Sequence, residues 1–313
     1  MKFSIVITTY NRLPLLKRAI NSALNQTVPC EVVVVDDASD DGTEAYVRSL
    51  GDQVTYHRNE RNLNHAGSVN AGVNVATGEW IKFLDDDDYL AKNCIEQMTA
   101  AISQHPEAVL CSCRIVEVDE QEVELRRRGS IGPSDVFFIP QEAVHYGMLL
   151  EQIPIGTPAQ VAAQREAFMK TGGWDTSMTT NYDDIDAWIR IAEHGDVLFL
   201  QDFLAYRTLW SGSYEKKKGL QYRAALNVTI KERVYKHLNT DYQQTCPDLE
   251  TISRYVCLHW GLVALQQFKL ATALRLCFPV ALYPQVWLLF LRLRIARKRF
   301  SKPLVPKFPV KMS

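Results

Sequence analysis

Apolar and polar positions alternate in blocks along the first hundred residues. Phe3–Thr9 is a short apolar run rich in β-branched residues, the pattern of a buried strand. Pro14 suits a first helical turn, and Leu15, Leu16, Ala19, Ile20, Ala23 and Leu24 then recur at helical spacing. Glu31–Val35 contains four consecutive valines with no polar face, which predicts a second buried strand. The stretch Asp36-Asp37-Ala38-Ser39-Asp40-Asp41-Gly42-Thr43 is turn and cap chemistry that opens another helix. Val54–Arg58 predicts a third strand, Ala66–Ala76 a helix stopped near Gly78, and Glu79–Leu84 a fourth strand running into Asp85-Asp86-Asp87-Asp88. Apolar strands alternating with helices predict an α/β fold, a parallel sheet covered by helices on both faces.

From about residue 108 the rhythm is less regular. Ala108–Val116 and Gln160–Ala163 read as strands, and Gln141–Leu150 and Arg165–Lys170 as short helices. Asp184–His194 predicts a helix with Ile185, Trp188, Ile189 and Ala192 on one face, followed by helices over Leu220–His237, Glu250–Gln267 and Pro284–Arg299. Glu120–Gly129, with Arg126-Arg127-Arg128, reads as a solvated hairpin tip.

Composition changes this picture in one respect. The formal net charge of the 313 residues is -1, yet residues 1–250 carry 24 Lys and Arg against 36 Asp and Glu, and residues 251–313 carry 11 against none. An acidic body with a basic tail points to an anionic surface as the tail's partner. A membrane suits that tail better than nucleic acid, which the acidic body would repel; the plain alternative is a helix packed on the rest of the chain with a solvated basic end. The apolar stretch Leu276–Leu291 is interrupted by Pro279, Pro284 and Gln285, and it is shorter than the roughly 20 residues of a spanning helix. Seven cysteines without a CxxC pair read as free thiols of a reducing compartment. The short apolar run at the N-terminus lacks the form of a signal peptide. The expectation is a cytoplasmic protein, peripheral at the inner membrane.

Ligands of an open parallel sheet bind outside the carboxyl ends of its strands. Three such ends are polar here: Thr8-Thr9-Tyr10-Asn11-Arg12, Asp36-Asp37 and Asp85–Asp88. Neither a Gly-x-Gly-x-x-Gly nor a Gly-x-x-x-x-Gly-Lys cradle occurs. A phosphate-bearing ligand would therefore need its charge neutralised differently, and carboxylates holding Mg²⁺ or Mn²⁺ supply a way. An acidic run is ordinarily a solvated turn; placed between an apolar strand and a helix, this one is read as a site.

These residues resemble a family. Ile5-Val6-Ile7-Thr8-Thr9-Tyr10-Asn11-Arg12, Val35-Asp36-Asp37-Ala38-Ser39-Asp40-Asp41-Gly42-Thr43 and Gly78-Glu79-Trp80-Ile81-Lys82-Phe83-Leu84-Asp85-Asp86-Asp87-Asp88 look like family 2 glycosyltransferases. Gly172-Gly173-Trp174-Asp175 and Asp183-Asp184-Ile185-Asp186-Ala187-Trp188-Ile189-Arg190 look like that family's downstream motifs. The resemblance covers about residues 1–215. It implies a GT-A fold, with a Rossmann-like, mostly parallel sheet flanked by helices. Residues 1–105 would be its nucleotide-sugar half and 106–215 its acceptor half, with 216–313 a helical extension. It also implies a nucleoside-diphosphate sugar as donor, a UDP-sugar foremost, with Mn²⁺ or Mg²⁺ as cofactor. Transfer would proceed with inversion to a glycan or lipid-linked acceptor of bacterial surface polysaccharide synthesis. By position, Thr8 and Tyr10 would line the nucleobase pocket, with Asn11 and Arg12 on the same donor-binding loop. Asp37 would bond the base or ribose, and Asp86 would approach the ribose or phosphate. Asp87 would bind the metal, and Asp85 is open to either role. Asp184 would be the catalytic base, with Asp183 where the family usually has Glu. The plain alternative for Asp183 and Asp184 is helix capping, which is compatible with catalysis.

Two family features are missing. Tyr206-Arg207-Thr208-Leu209-Trp210 lacks the histidine of Tyr-Arg-x-His, and Ser68-Val69 stands where Ala-Arg is common. Lys216, Lys217 and Lys218 read as a solvated run, with contact to the diphosphate as the alternative. His65 reads as a helix-start residue rather than a replacement for the arginine. Two other functions compete. A sugar-nucleotide nucleotidyltransferase would need a Gly-rich signature that is absent. A non-catalytic nucleotide-sugar-binding module would need the loss of Asp87 or Asp184, and both are present.

Overall fold

The computed structural model describes residues 1–127, 135–153, 155–178, 182–210, 219–298 and 311–312. In chain order the elements are β1 (Phe3–Thr9), α1 (Leu13–Leu24), β2 (Glu31–Asp36), α2 (Thr43–Ser49), β3 (Thr55–Arg58), α3 (Asn64–Val75), β4 (Trp80–Asp85), β5 (Tyr89–Leu90), α4 (Cys94–Gln104), β6 (Ala108–Val118), β7 (Glu124–Arg127), β8 (Val136–Ile139), α5 (Gln141–Leu149), β9 (Val161–Gln164), α6 (Arg165–Lys170), α7 (Asp183–Ile191) and β10 (Asp196–Thr208). Then come α8 (Leu220–Lys236), α9 (Thr240–Gln243), α10 (Leu249–Gln266), α11 (Leu270–Cys277), α12 (Pro284–Lys298) and β11 (Lys311–Met312). The chain divides into Met1–Gln141 with Ile155–Trp210 and Val310–Ser313, and Glu142–Pro154 with Ser211–Pro309.

The first unit holds the sheet, in the order β11-β8-β10-β6-β9-β4-β1-β2-β3, with β5 on β10 and β7 on β6. β3, β2, β1 and β4 are parallel, β9 runs against both β4 and β6, and β6 and β10 are parallel to each other. β1, β2, β3, β4, β6 and β10 therefore share one direction. All seven residues of β1 are buried, so it has no solvent face. Phe3, Ile5 and Ile7 cluster with Leu16 and Ile20 of α1 and Met98 of α4. On the opposite face Val6 meets α3 at Gly72. A Cβ at Gly72 would stand 2.4 Å from Val6 Cγ1 and 2.8 Å from Val35 Cγ2, so glycine lets this helix lie against the sheet.

Register brings the polar strand ends together. Thr8 is opposite Val35 on one side and Asp85 on the other, and Thr9 is opposite Asp36. Lys82 was not singled out in the sequence, yet it is fully buried. Its ammonium donates to the carbonyls of Phe83 at 2.9 Å and Ala159 at 2.6 Å, tying β4 to the segment before β9. Burial lowers its pKa.

The second unit is helical. α10 packs against α8, α11 and α12, and Asp248 caps it by accepting from Thr251 N at 2.8 Å. A Cβ at Gly261 would stand 2.3 Å from Cys277 Sγ, so the glycine sets the close approach of α10 and α11. Lys231 donates to the carbonyls of Met148 at 2.8 Å and Leu149 at 2.7 Å. No helix among the described residues is long and apolar enough to cross a membrane. All seven cysteines are unpaired.

Candidate active site

The site is built on the polar edge of the first unit. After β1 the chain leaves the sheet through Asn11, whose φ of 53° is left-handed, a region asparagine tolerates. Asn11 N donates to Ser39 Oγ at 3.0 Å and Asn11 Oδ1 accepts from Asp40 N at 2.8 Å, joining the first two polar loops. Thr8 is buried, whereas Tyr10 is half exposed and presents its ring to solvent. Asp36 is fixed by Tyr56, Arg58 and the amide of Ser39. Asp37 Oδ1 accepts from Asn59 Nδ2 at 2.8 Å and Leu63 N at 2.7 Å; among the described residues Oδ2 has no such partner.

The four aspartates after β4 have four different surroundings. Asp86 is buried, accepting from Thr9 Oγ1 at 2.7 Å and Arg12 Nη1 at 3.0 Å. Asp87 accepts from Arg12 Nη1 at 3.2 Å and Trp210 Nε1 at 3.0 Å, and the Arg12 guanidinium lies 5.0 Å from the Trp210 ring centre. Asp88 accepts from Thr208 N at 2.9 Å. Asp85 is 3.0 Å from His65 Nε2. Arg18 donates to the Asp87 carbonyl at 2.6 Å and to Thr208 Oγ1, closing the loop against β10.

Burial pushes the Asp86 carboxyl up to about 7, against the pull of Arg12. Burial, with Asp87 and Asp85 beside it, raises Asp88 well above the carboxylate range. Burial acts on Asp85 in the same sense, but His65 outweighs it and lowers its pKa. Crowded carboxylates of this kind are what a cation relieves. The donor set fits one: carboxylate oxygens of Asp85, Asp87 and Asp88 all lie within 4.8 Å of one another, and a cluster of hard oxygen ligands suits a hard divalent cation. Arg12 shares Asp87 with any such ion.

α7 brings the second acidic pair. Asp183 is buried, and its Oδ2 is 3.1 Å from His65 Nδ1. Asp184 is half buried in the first turn, with its Oδ1 accepting from Ile185 N at 2.7 Å. Burial, then the neighbouring Asp183, raises its pKa to about 7. Arg190 secures the helix by reaching Asp186 Oδ2 at 2.9 Å and the carbonyls of Thr171 and Gly173 at 2.9 and 2.7 Å.

His65 is where the sequence reading is corrected. It does start α3, but it also bridges Asp85 and Asp183. Its ring stands edge-on to Trp174, with centroids 5.1 Å apart. Burial opposes its charging, and the two carboxylates outweigh burial and raise its pKa well above the usual value. Only its placement beside a helix start was visible in the sequence, since Asp183 is 118 positions away. Trp210 and Arg18 were likewise missed as partners of the aspartate loop. Lys216, Lys217 and Lys218 lie outside the described residues.

A Rossmann-like sheet with aspartates at its strand ends in place of a glycine cradle defines the GT-A class of nucleotide-sugar enzymes. The model of the family "Glycosyl transferase family 2" matches residues 4–172, more than half of the chain, which belongs to that family. A GalNAc(5)-diNAcBac-PP-undecaprenol beta-1,3-glucosyltransferase of Campylobacter jejuni is 31% identical over 140 residues, 43% of this chain and 45% of that protein. The succinoglycan biosynthesis protein ExoO of Rhizobium meliloti is 41% identical over 97 residues, 30% of this chain and 28% of that one. The matched segments span less than half of these relatives. Among solved structures, Staphylococcus aureus TarS 1–349 with UDP-GlcNAc superposes with a TM-score of 0.60 at 17% identity, covering 94% of this chain and 79% of that one. The mannosyltransferase PcManGT of Pyrobaculum calidifontis, with GDP-Man and Mn²⁺, gives 0.56 at 18% identity, covering 95% and 87%. These likenesses establish the GT-A fold.

Proposed function

We propose that the chain transfers a sugar from a nucleoside-diphosphate sugar, foremost a UDP-sugar, to a hydroxyl of a glycan or lipid-linked acceptor, with inversion. The observation that carries this reading is the pairing of Asp184, a half-buried carboxyl with a pKa near neutrality, with the acidic strand-end loop through His65 and Asp183. A carboxylate that is half protonated near pH 7 is matched to taking a hydroxyl proton. The acceptor oxygen attacks the anomeric carbon opposite the diphosphate, Asp184 receives its proton, and the bond from that carbon to the diphosphate oxygen breaks. Asp183, anchored by His65, holds the first turn of α7 in place.

Thr8 and Tyr10 line the base side, and Asp37 offers its second oxygen to the base or ribose. Asp86 approaches the ribose or phosphate together with Arg12, the guanidinium it holds, and Asn11 shapes that loop. Asp87, with Asp85 and Asp88, would hold Mn²⁺ or Mg²⁺. A divalent ion there, when bound, supplies positive charge to the departing diphosphate. Residues 1–215 form the catalytic domain in this reading, with 106–215 receiving the acceptor.

The undecaprenol-linked acceptor in one relative's name supports a lipid-linked acceptor here. The basic C-terminal region supports a peripheral position at the cytoplasmic face of an anionic membrane. Nucleic acid is not a partner in this reading.

A nucleotide-sugar screen tests the proposal. Melting temperature should rise with one donor in the presence of Mn²⁺, because a ligand selective for the folded state stabilises it. The same donor should be hydrolysed or transferred, with net inversion at its anomeric carbon. Failure of every nucleotide sugar to bind would overturn the reading.

A further inference from the structure

The helical unit places its apolar residues in two opposed sets. On α11, Ala273 turns inward and clusters with Leu220 and Ala264. Leu270, Leu274 and Phe278 stand exposed at successive four-residue steps, which is one continuous helical stripe. On α12, Val286, Leu289, Phe290 and Leu293 are buried, while Leu288 and Leu291 are exposed. Before α11, Phe268 is 89% exposed, and in the turn before α12 Leu282 is 88% exposed. Of the seventeen large apolar side chains exposed among the described residues, ten fall between Leu265 and Leu291. Isolated exposed apolar residues are ordinary; a concentration of this kind marks a surface that is covered in use.

Charge indicates what covers it. Lys269, Arg275, Arg292 and Arg294 are exposed in the same segment, and no Asp or Glu follows Glu250. A second copy is disfavoured, because a two-fold contact sets a patch against itself. These four cations would then face their own copies, and Glu250, which lies near this face through Arg254 on the Tyr283 ring, is already paired with that arginine. An anionic lipid surface satisfies both features, taking apolar side chains at the headgroup–acyl boundary and cations at the headgroups. Trp287 and Tyr283, both partly exposed, are residue types favoured at that boundary.

We propose that the outer face of α11 and α12 docks on an anionic bilayer by inserting its apolar stripe and the intervening turn without crossing the membrane. This deepens the peripheral-membrane reading above and rests on it. It assigns the contact to folded helices rather than to the basic residues that follow them.

Flotation of the full chain with phosphatidylglycerol-containing vesicles, against phosphatidylcholine alone, tests it. Wild type should float with the anionic vesicles. The double variant Phe278→Glu/Leu282→Glu should partition at least about tenfold less while its melting temperature and donor binding stay unchanged. Brominated lipids should quench the wild type more than Trp287→Phe, a readout that does not depend on the folding of the double variant. Three results overturn the inference. The first is unchanged flotation of the double variant with loss in Lys302→Gln/Lys307→Gln/Lys311→Gln, which keeps membrane binding but moves it to the tail. The second is a dimer in sedimentation that the double variant converts to monomer. The third is failure of the wild type to float at all, which overturns the membrane reading as well.

Discussion

The two units treat charge and apolar surface in opposite ways. The sheet unit buries its apolar side chains, β1 entirely, and draws acids and bases into a partly buried network at the strand ends. The helical unit leaves apolar side chains outside on α11 and exposes Lys269, Arg275, Arg292 and Arg294 along a stretch with no acid after Glu250. Buried charges are costly unless paired, and exposed apolar stripes are costly in water. A folded chain that retains both does so where a ligand or a surface completes the arrangement. The comparison breaks if either feature proves inert.

The largest effect is expected at Asp184. Asp184→Asn should lower kcat by roughly 10²–10⁴-fold, the usual contribution of a general base, with donor affinity nearly unchanged. Its raised pKa of about 7 gives the sign of the pH dependence. Below that value the carboxyl is protonated and cannot accept a proton, so kcat/KM should fall about tenfold per pH unit. An ordinary aspartate would hold activity down to about pH 4. A pH–rate profile flat from 5 to 8 would show that the burial of α7 does not tune this group. Next, Asp87→Ala or EDTA should reduce transfer by roughly 10²–10³-fold, the several kcal/mol of charge stabilisation that a metal supplies. Mn²⁺ should restore the chelated wild type and leave the variant inactive.

The third effect separates His65 from a mere helix start. His65→Ala leaves Asp85 and Asp183 without the ring between them. Loss of a group that orients a metal ligand costs about 10–100-fold. The same change should move the acid limb of the pH profile to higher pH, because His65 acts to lower the Asp184 pKa. A loss of activity with the limb unmoved would assign His65 to folding alone.

Legibility followed sequence distance and the strength of local pattern. β1, β2 and β4 were plain because buried parallel strands are apolar on both faces, and the loops after them announced themselves by residue type. The 13-residue β10 was not, since Gln201 and Asp202 interrupt its apolar run where its pairing with β6 shifts register. α11 was not legible, because its cysteine-ended eight residues carry no cap signal of their own. In the site, Asp184 and Asp87 were named from local motifs. The His65 bridge, and the Trp210 contact with Asp87, were hidden because each joins residues more than a hundred positions apart. Lys82, a lone base in an apolar strand, could have been questioned from sequence, but its carbonyl partners beyond residue 157 could not be named.

The smallest expected effect is the sharpest test of the comparison. Leu274→Gln and Leu282→Ser alter large apolar residues, a class whose removal from a core is expensive. Ile5→Ala in β1 should cost about 2–5 kcal/mol, a transfer loss plus a cavity that close-packed neighbours cannot fill. Leu274 and Leu282 are 65% and 88% exposed, so neither change opens a cavity, and each should shift stability by no more than about 0.5 kcal/mol in urea unfolding. A cost near that of Ile5→Ala would make the outer stripe part of the packed core and erase the contrast between the units. A negligible cost leaves leucines in water that folding does not need, and their presence then has to be explained by what they contact outside the chain.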